Sequence, residues 1–428
     1  MTVAEIFNSL RPVIPAGLVC RLFFGTGAFM RQFVRKVNIS YAVLQTFYIA
    51  SNSVLFGFAV VLLQSRGFSN TQIGIALAVS SVLQVFFQPA LAAFMERMRR
   101  LSLNAAIAAV MLLTLVLCFV LFVTRSPLVL VFVIFVLAGA FAVLPQAMIG
   151  ALAMEFENSG TPILYGVARG CGSLGYAVMG YFMGRVIERF GAGSILIVYM
   201  VMLAATILLT LLHPKVPREQ RAVAAKEKEE PVRISAVLRQ NRTLLCFFIA
   251  VIAICYNHGL LDSYQVSIVQ AVGGSTADYG TVMFVMALSE LPVMFLYNGI
   301  KKKISVATLM SVAYIAFIAK VGILLLAENV EAVIAAQLCN AFTLGLYLPS
   351  IVYFTNMITN RRETVVAQSL IGGTAFGVGR VAGNLMGGSL LDIGGVGAML
   401  VSCIVVAAAG FVLMRVSNSM YQKKIYAI

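Results

Sequence analysis

The sequence contains no tryptophan and little charge: 11% of its 428 residues are charged, whereas 61% are hydrophobic. Soluble globular chains carry about 25% charged residues, so this composition excludes a soluble protein of this length. The absence of tryptophan leaves mainly tyrosine and phenylalanine to stack against a ring of a ligand. We therefore expect a polytopic membrane protein that is embedded in a lipid bilayer.

Several chemical motifs are also absent. The seven cysteines lie in apolar segments without CxxC spacing, so we expect packing residues and neither metal ligands nor disulfides. The sequence has no HExxH or GxSxG motif and no nucleotide-binding loop. The stretch GVGRVAG lies inside an apolar segment, where packing explains it better than dinucleotide binding. We expect neither an enzyme nor an ATP-driven pump, and no cofactor or metal.

Twelve segments are long and apolar enough to cross a bilayer, which takes roughly 20 residues. A long polar stretch separates six of them from the other six, so the predicted fold is an all-α membrane protein with twelve transmembrane helices in two pseudo-symmetric halves. The predicted spans 1 to 12 are residues 40–64, 72–95, 103–124, 127–153, 163–187, 192–213, 243–270, 277–299, 304–327, 331–357, 364–390 and 394–416. The predicted domains are an N-terminal cytoplasmic extension (1–37), an N-terminal half (38–213), a central cytoplasmic loop (214–242), a C-terminal half (243–417) and a cytoplasmic tail (418–428).

The formal net charge of +15 does not indicate nucleic-acid binding, because the basic residues cluster in alternate loops. Cytoplasmic loops of membrane proteins carry such an excess of lysine and arginine. We therefore expect both termini in the cytoplasm and a location in a plasma membrane of the bacterial inner-membrane type. We further expect a monomer.

The two halves repeat each other at a constant offset. Pro89 and Pro292, each about ten residues before a basic run, are 203 positions apart (292 − 89), and GYFMG at 180–184 has the same offset from GNLMG at 383–387. This pattern indicates a duplicated six-helix unit, the architecture of alternating-access transporters. Four GxxxG pairs predict close helix packing, at 166–170, 180–184, 373–377 and 383–387.

Ionisable residues inside the spans usually mark a substrate or ion pathway. Arg169 is the most informative, because a guanidinium in an apolar helix must face a protein interior or a wet cavity. The alternative for Arg169 is a side chain that reaches the lipid headgroups. Asp262 could instead form a structural ion pair, and His258 could serve in packing. Lys320 and Arg380 could form a structural pair or lie at the headgroups. The ionisable residues inside spans are Arg169, His258, Asp262, Glu290, Lys320 and Arg380.

One face of span 1 is polar. Gln45, Tyr48 and Asn52 recur at helical spacing and predict either the wall of a wet cavity or hydrogen bonds between helices. Asn340 in span 10 adds a neutral donor. Amides, hydroxyls and aromatic rings with few net charges are typical of a site for a neutral polar solute such as a sugar or nucleoside.

Four stretches resemble the major facilitator superfamily, and within it the oligosaccharide–proton symporter branch typified by lactose permease, whose relatives carry nucleosides or phenylpropionate. They are FYIASNSVLFGFAVVLLQSRGFSNTQIGIALAVSSVLQVFFQPALAAFMERM over the first two spans, LYGVARGCGSLGYAVMG in span 5, NHGLLDSYQVSIV in span 7 and YGTVMFVMALSELPVMFLYNG in span 8. The resemblance implies a secondary transporter that moves a small polar solute, with the proton as coupling ion.

The resemblance also implies roles for individual residues. Arg169 matches an arginine that hydrogen-bonds sugar hydroxyls, Tyr176 an aromatic position that stacks on the sugar ring, and Glu290 a glutamate that contacts substrate and helps to couple it to protons. Asp262 falls near an acidic position of the seventh helix, with His258 one turn before it. The resemblance also implies a gate at Glu96, with Arg97 beside it, after the second helix. The polar face of span 1 and the neutral donor of span 10 add Gln45, Tyr48 and Asn340 as predicted substrate contacts.

The sequence departs from this pattern in span 10, where Asn340 and Thr343 stand in place of a histidine and a proton-accepting glutamate. Threonine cannot carry a proton. For the acid of the fourth helix the candidates are Glu155 and Glu157, whereas a direct count of residues places Ala153 there. For the base of the ninth helix the candidate is Lys320 when counted back from Asn340, and Ala313 when counted from the LMSV motif. We predict an importer of a neutral sugar or nucleoside-like solute by proton symport; the alternatives are a drug or metabolite exporter and a solute sensor that does not transport.

Overall fold

The computed structural model describes residues 27–97, 102–124, 126–216, 241–359 and 361–426, and within these ranges it contains helices and no strand. Most of the predicted N-terminal extension and of the central loop lies outside these ranges. In chain order the helices are Gly27–Gly57 with Ala59–Gln64, Asn70–Arg97, Leu103–Val123, Leu128–Asn158, Tyr165–Phe190, Ser194–Leu212, Arg242–Ala271, Thr276–Ile300, Val306–Leu325, Val330–Ala336 with the 3₁₀ turn Gln337–Ala341 and Leu344–Ile358, Arg361–Ser369 with the π-helical turn Leu370–Ala375, and Phe376–Tyr426.

The helices coincide with the predicted spans to within a few residues at most ends. Nine helical stretches of the described chain are long and apolar enough to cross a membrane, and one of them, Val366–Lys423, contains the predicted spans 11 and 12. Gly395 separates these two, because its φ of +66° interrupts the helix and is a conformation that glycine adopts readily. Spans 1 and 5 are also helices, at Gly27–Gly57 and Tyr165–Phe190, but they are more polar.

Short polar side chains fix where several spans begin. Ser275 accepts a hydrogen bond from the backbone N–H of Asp278, and the Asp278 carboxylate accepts one from the N–H of Ser275, a capping box that starts span 8. Asn241 and Ser305 cap spans 7 and 9 in a similar way. Pro89 and Pro292, the prolines of the predicted repeat, both lie inside helices.

The helix pairing follows a two-fold pattern. Within the first half, span 1 packs on span 5 and span 2 on span 4; within the second, span 7 packs on span 11 and span 8 on span 10. Between the halves, span 5 packs on span 8 and span 2 on span 11. Because each pairing has its counterpart six spans further along, the arrangement agrees with the predicted duplication.

Two of the four predicted glycine pairs form close contacts. Gly180 and Gly184 of span 5 lie against span 8, where a methyl group at Gly184 would be 3.1 Å from the Cα of Gly280. Gly383 and Gly387 lie against span 7. In the other two pairs the packing prediction is wrong for Gly166 and Gly373, where a methyl group would meet no described atom within 4 Å. A methyl group at Gly377 would lie 3.7 Å from the side chain of Val85.

Within the described residues, hydrogen bonds and ring contacts join the two halves at one face of the bundle. At this face, which we call the closed face, the Tyr279 hydroxyl donates to the carbonyl of Gly57 at 2.7 Å, and the Tyr279 ring packs edge-on against Phe58. Tyr264 and Asp392 of the second half reach the start of span 2 at the same face. The opposite face, predicted to be cytoplasmic, leaves Phe295 of span 8 75% exposed.

Candidate functional site

A cavity of about 930 Å³ lies between the two halves. Spans 1, 2, 4 and 5 line it from one side and spans 7, 8, 10 and 11 from the other. Met283, which is 1% exposed and packs on Gly57 and Gly180, separates the cavity from the closed face. The volume falls in the range of about 300–1,000 Å³ that is typical of small-molecule sites.

Among the described residues four charged side chains line the cavity, and their formal charges cancel: Arg169 and Arg380 against Asp262 and Glu290. Arg169 comes from the first half and the other three from the second. The Arg380 Nη2 donates to the Asp262 Oδ2 at 2.5 Å, which links spans 7 and 11. Among the described residues Arg169 has no carboxylate within 4 Å and is exposed to the cavity. Asp262 and Arg380 thus form a structural ion pair, which was one of the alternatives for these residues.

Three further predicted residues lie at this cavity. Glu290 lies near enough to Arg169 and Lys320 for both cations to act on its carboxylate. Tyr176, half-buried, lies near Asp262, Arg380 and Glu290, so it spans the gap between the halves. His258 lines the wall beside Asp262. The structure thus brings Arg169, Tyr176, His258, Asp262 and Glu290 together.

Most of the neutral polar lining was missed by reasoning from the sequence. Ser81, Gln84 and Gln88 form a polar stripe on span 2, and Gln146 of span 4 adds an amide beside the predicted Asn52 of span 1. The signal is present in the sequence, because Ser81, Gln84 and Gln88 are spaced by three and four residues and share one helix face.

Span 11 contributes backbone to the cavity. The turn Leu370–Ala375 is π-helical, and its Gly372, Gly373 and Thr374 are exposed and line the cavity. Single π-helical turns inside α-helices occur frequently at functional sites. The glycine pair at 373–377 therefore borders the cavity, which explains why no helix packs on Gly373.

A small annex adjoins the cavity. It has a volume of about 10 Å³ and shares His258, Asp262, Met286 and Leu344 with the larger space. Lys320, Gln265 and Asn340 form its other polar walls. Asn340 accepts from the Lys320 Nζ at 2.8 Å and from the Thr343 hydroxyl at 3.1 Å, both through Oδ1.

Residues 38–416 match the model of the MFS_1 like family. The chain belongs to the MFS_1 like family. An uncharacterized transporter of Bacillus subtilis, YwbF, is 21% identical over 351 residues, which cover 80% of this chain and 85% of that protein.

Two solved structures share the fold of this transporter. The nucleoside transporter NupG has 13% identity and a TM-score of 0.76, with 90% of this chain and 99% of the other covered. A bacterial homologue of the human lysosomal transporter Spinster, in an inward-facing and unoccupied conformation, has 12% identity and a TM-score of 0.64, with 92% and 97% covered. The chain is a multi-pass membrane transporter of the major facilitator fold.

Two predicted substrate contacts of the transporter lie away from the cavity in this conformation. The Tyr48 hydroxyl donates to the carbonyls of Ala142 and Val143 in span 4, so it ties spans 1 and 4 together. Gln45 is 1% exposed, and neither polar atom of its side chain has a hydrogen-bond partner among the described residues. Asn52, which belongs to the same predicted polar face of span 1, does line the cavity. Asn340 lines the annex and not the main cavity.

The predicted gate lies at the edge of the described structure. Span 2 ends at Arg97, and the side chains of Glu96 and Arg97 are outside the described part of the molecule. Their role stays a prediction.

Proposed function

We propose that this transporter imports a neutral sugar or nucleoside-like solute together with a proton, through the membrane of a bacterial-type cell. The observation that carries the proposal is the cavity between the halves: its four charges cancel, and amides and hydroxyls make up most of the remaining polar lining. A neutral solute with several hydroxyl groups would satisfy such donors and acceptors without adding an uncompensated charge. The fold shared with a nucleoside transporter supports the same class of solute.

Arg169 and Glu290 would hold the solute from opposite halves. Arg169 offers several N–H donors and Glu290 accepts, so both can bind hydroxyl groups of one ring. Tyr176 lies between them and would stack against the ring. A solute that contacts both halves favours the conformation in which they close around it, which couples binding to the rocking of the two six-helix units.

The cavity meets the closed face at Met283 and Tyr279 and extends toward the face that is predicted to be cytoplasmic. The described conformation would therefore be the one that releases an imported solute. The proton carrier would be one of the titratable groups of the cavity and its annex, which include Glu290, Asp262 and His258.

The test is solute exchange in proteoliposomes, followed by pH recording in de-energised cells. Radiolabelled sugars and nucleosides are tried one at a time in counterflow, which needs no energy coupling. We expect exchange of one class, and Arg169→Ala and Glu290→Gln to weaken it at least about tenfold, since hydrogen bonds to charged groups contribute about 1.5–3 kcal/mol. Arg189→Ala, an exposed arginine at the other end of span 5, is the matched control and should exchange normally.

External alkalinisation on solute addition would establish proton symport, and exchange without alkalinisation would indicate a uniporter. Failure of every sugar and nucleoside with well-folded protein would contradict the proposal. It would favour an exporter of other metabolites or a sensor.

A further inference from the structure

Lys320 is a buried lysine that has no carboxylate partner among the described residues. It lies in the interior of span 9 and is 3% exposed. Its Nζ donates to a neutral acceptor, the Asn340 Oδ1, at 2.8 Å, and among the described residues no carboxylate oxygen lies within 4 Å of it. An ammonium group in a low-dielectric interior is costly unless a counter-charge and further hydrogen bonds compensate it. The neutral amine carries no such cost.

The annex connects Lys320 to the main cavity. Its volume of about 10 Å³ has room for about one water molecule, and its walls include His258 and Asp262, which also line the cavity. The amide nitrogens of Gln265 and Asn340 are buried and have no hydrogen-bond partner among the described residues, so both can bind a water there. A proton on Lys320 thus has a route of one water and one side chain to the cavity.

Several titratable or charged groups surround Lys320. Glu290 of span 8 and Asp262 of span 7 act on it as anions, and the thiols of Cys339 and Cys403 approach from spans 10 and 12. His258 of span 7 interacts electrostatically with both Lys320 and Arg380. Asp262 is bound by Arg380, which leaves Glu290 as the acid whose interaction with Lys320 changes when a solute engages it.

We propose that Lys320 is the proton carrier of this transporter. In one conformation the amine takes a proton from water and becomes an ammonium; in the other it returns that proton through the annex to the cavity and becomes an amine again. One proton is bound and one released in each cycle, and no other reactant is needed. The inference rests on the proton symport that is proposed above, and it names the group that performs it.

The acceptor at Asn340 suits this role. An amide oxygen accepts a hydrogen bond from an ammonium and from an amine alike, so Asn340 positions Lys320 in both states without holding the proton. A carboxylate at the same place would stabilise the ammonium form. Asn340→Asp is therefore expected to keep Lys320 protonated and to abolish accumulation of solute.

The test separates exchange from accumulation. Purified protein in proteoliposomes is assayed for counterflow and for accumulation driven by an imposed pH gradient, with radiolabelled uridine as the first probe. We expect Lys320→Met and Lys320→Arg to exchange the probe but not to raise its internal concentration above the external one. Lys303→Met, at an exposed lysine after span 8, should accumulate as the wild type does. Accumulation by Lys320→Arg would overturn the proposal, because a guanidinium does not release its proton.

A second measurement does not depend on the solute. Protein with ¹⁵N-labelled lysine is titrated in bilayers by solid-state NMR, and the Lys320 signal is assigned by its loss in Lys320→Arg. Because burial disfavours the charged form of an amine, we expect this nitrogen to pass between the ammonium and amine positions between about pH 5 and 8. A signal that stays at the ammonium position throughout would overturn the proposal. If the wild type exchanges no probe, the proposed function fails, and the titration still decides whether Lys320 exchanges a proton.

Discussion

At the residue scale, the ion pair of Asp262 and Arg380 places two compensating charges inside the helix bundle. Each partner compensates the other across spans 7 and 11, and their side chains are 20% and 43% exposed. Water screens a pair of this exposure, so we expect Asp262→Asn to cost about 1–2 kcal/mol of unfolding free energy, less than the 3–5 kcal/mol of a fully buried pair. The loss arises because Arg380 is left without its counter-charge.

A double-mutant cycle checks this prediction by thermal unfolding of the solubilised protein. Asp262→Asn with Arg380→Gln should be more stable than the sum of the two single losses predicts, because the double variant leaves no unpaired charge. Strictly additive losses would show that the two side chains contribute independently.

Charges in apolar helices are visible in a sequence because they are costly, and the structure confirms that five of the predicted residues lie together. What the sequence does not show is how each helix is rotated. Gln45 and Gln84 both lie on polar helix faces, yet Gln45 is buried between helices and Gln84 lines the cavity. The partner of Asp262 is 118 residues away, and only the packing of spans 7 and 11 selects it.

At the scale of helices, the glycines of span 5 decide how closely the halves approach. A methyl group at Gly184 would meet the backbone carbonyl of Thr276 and the Cα of Gly280, and backbone atoms cannot move aside as a flexible side chain does. We expect Gly184→Ala to destabilise the described conformation by about 1–3 kcal/mol, the usual cost of overpacking. Thermal unfolding measures the effect.

Gly166→Ala is the matched control on the same helix. A methyl group there meets no atom within 4 Å, and alanine favours a helix over glycine by about 1 kcal/mol, so stability should be unchanged or higher. Equal losses in the two variants would mean that span 5 does not pack on span 8 as described.

Span boundaries were predicted well, because runs of apolar residues determine them, but the breaks within spans were not. Span 10 changes to a 3₁₀ turn at Gln337–Ala341, and span 11 contains the π-helical turn Leu370–Ala375. Neither of these two turns contains a proline that would have indicated a break there. Both border the cavity or the annex, where side chains and solvent can satisfy the freed backbone groups.

At the scale of the whole molecule, one contact of Asp392 joins the halves at the closed face. Asp392, at the turn between spans 11 and 12, accepts hydrogen bonds from the backbone N–H groups and side chains of Asn70 and Thr71, at 2.6–3.3 Å. These residues begin span 2, so a carboxylate of the second half caps a helix of the first, where the positive end of the helix dipole attracts it.

The ionised form of Asp392 makes this contact. Slight burial alone would raise the pKa of the carboxyl, but the hydrogen bonds from Thr71 and Asn70 outweigh it and hold the pKa below its usual value. The stabilisation is therefore complete above the ordinary aspartate pKa of about 3.9 and is lost as the pH falls through the lowered value. At neutral pH the contact is fully formed, and only a substitution removes its charge.

Asp392→Asn should therefore shift the transporter toward a conformation in which the two halves separate at the closed face. The asparagine keeps the size of the side chain but loses the charge that Asn70, Thr71 and the helix dipole stabilise, whereas the contacts at Tyr279 and Gly184 remain. Spin labels at Arg189→Cys and Glu331→Cys, exposed positions of the two halves at this face, report their separation by double electron–electron resonance. We expect longer distances to gain population in Asp392→Asn and not in the control Glu328→Gln, an exposed acid that makes no hydrogen bond to the other half among the described residues. An unchanged distribution would contradict the prediction, because it would mean that the contacts of Tyr279 and Gly184 keep this face closed without Asp392.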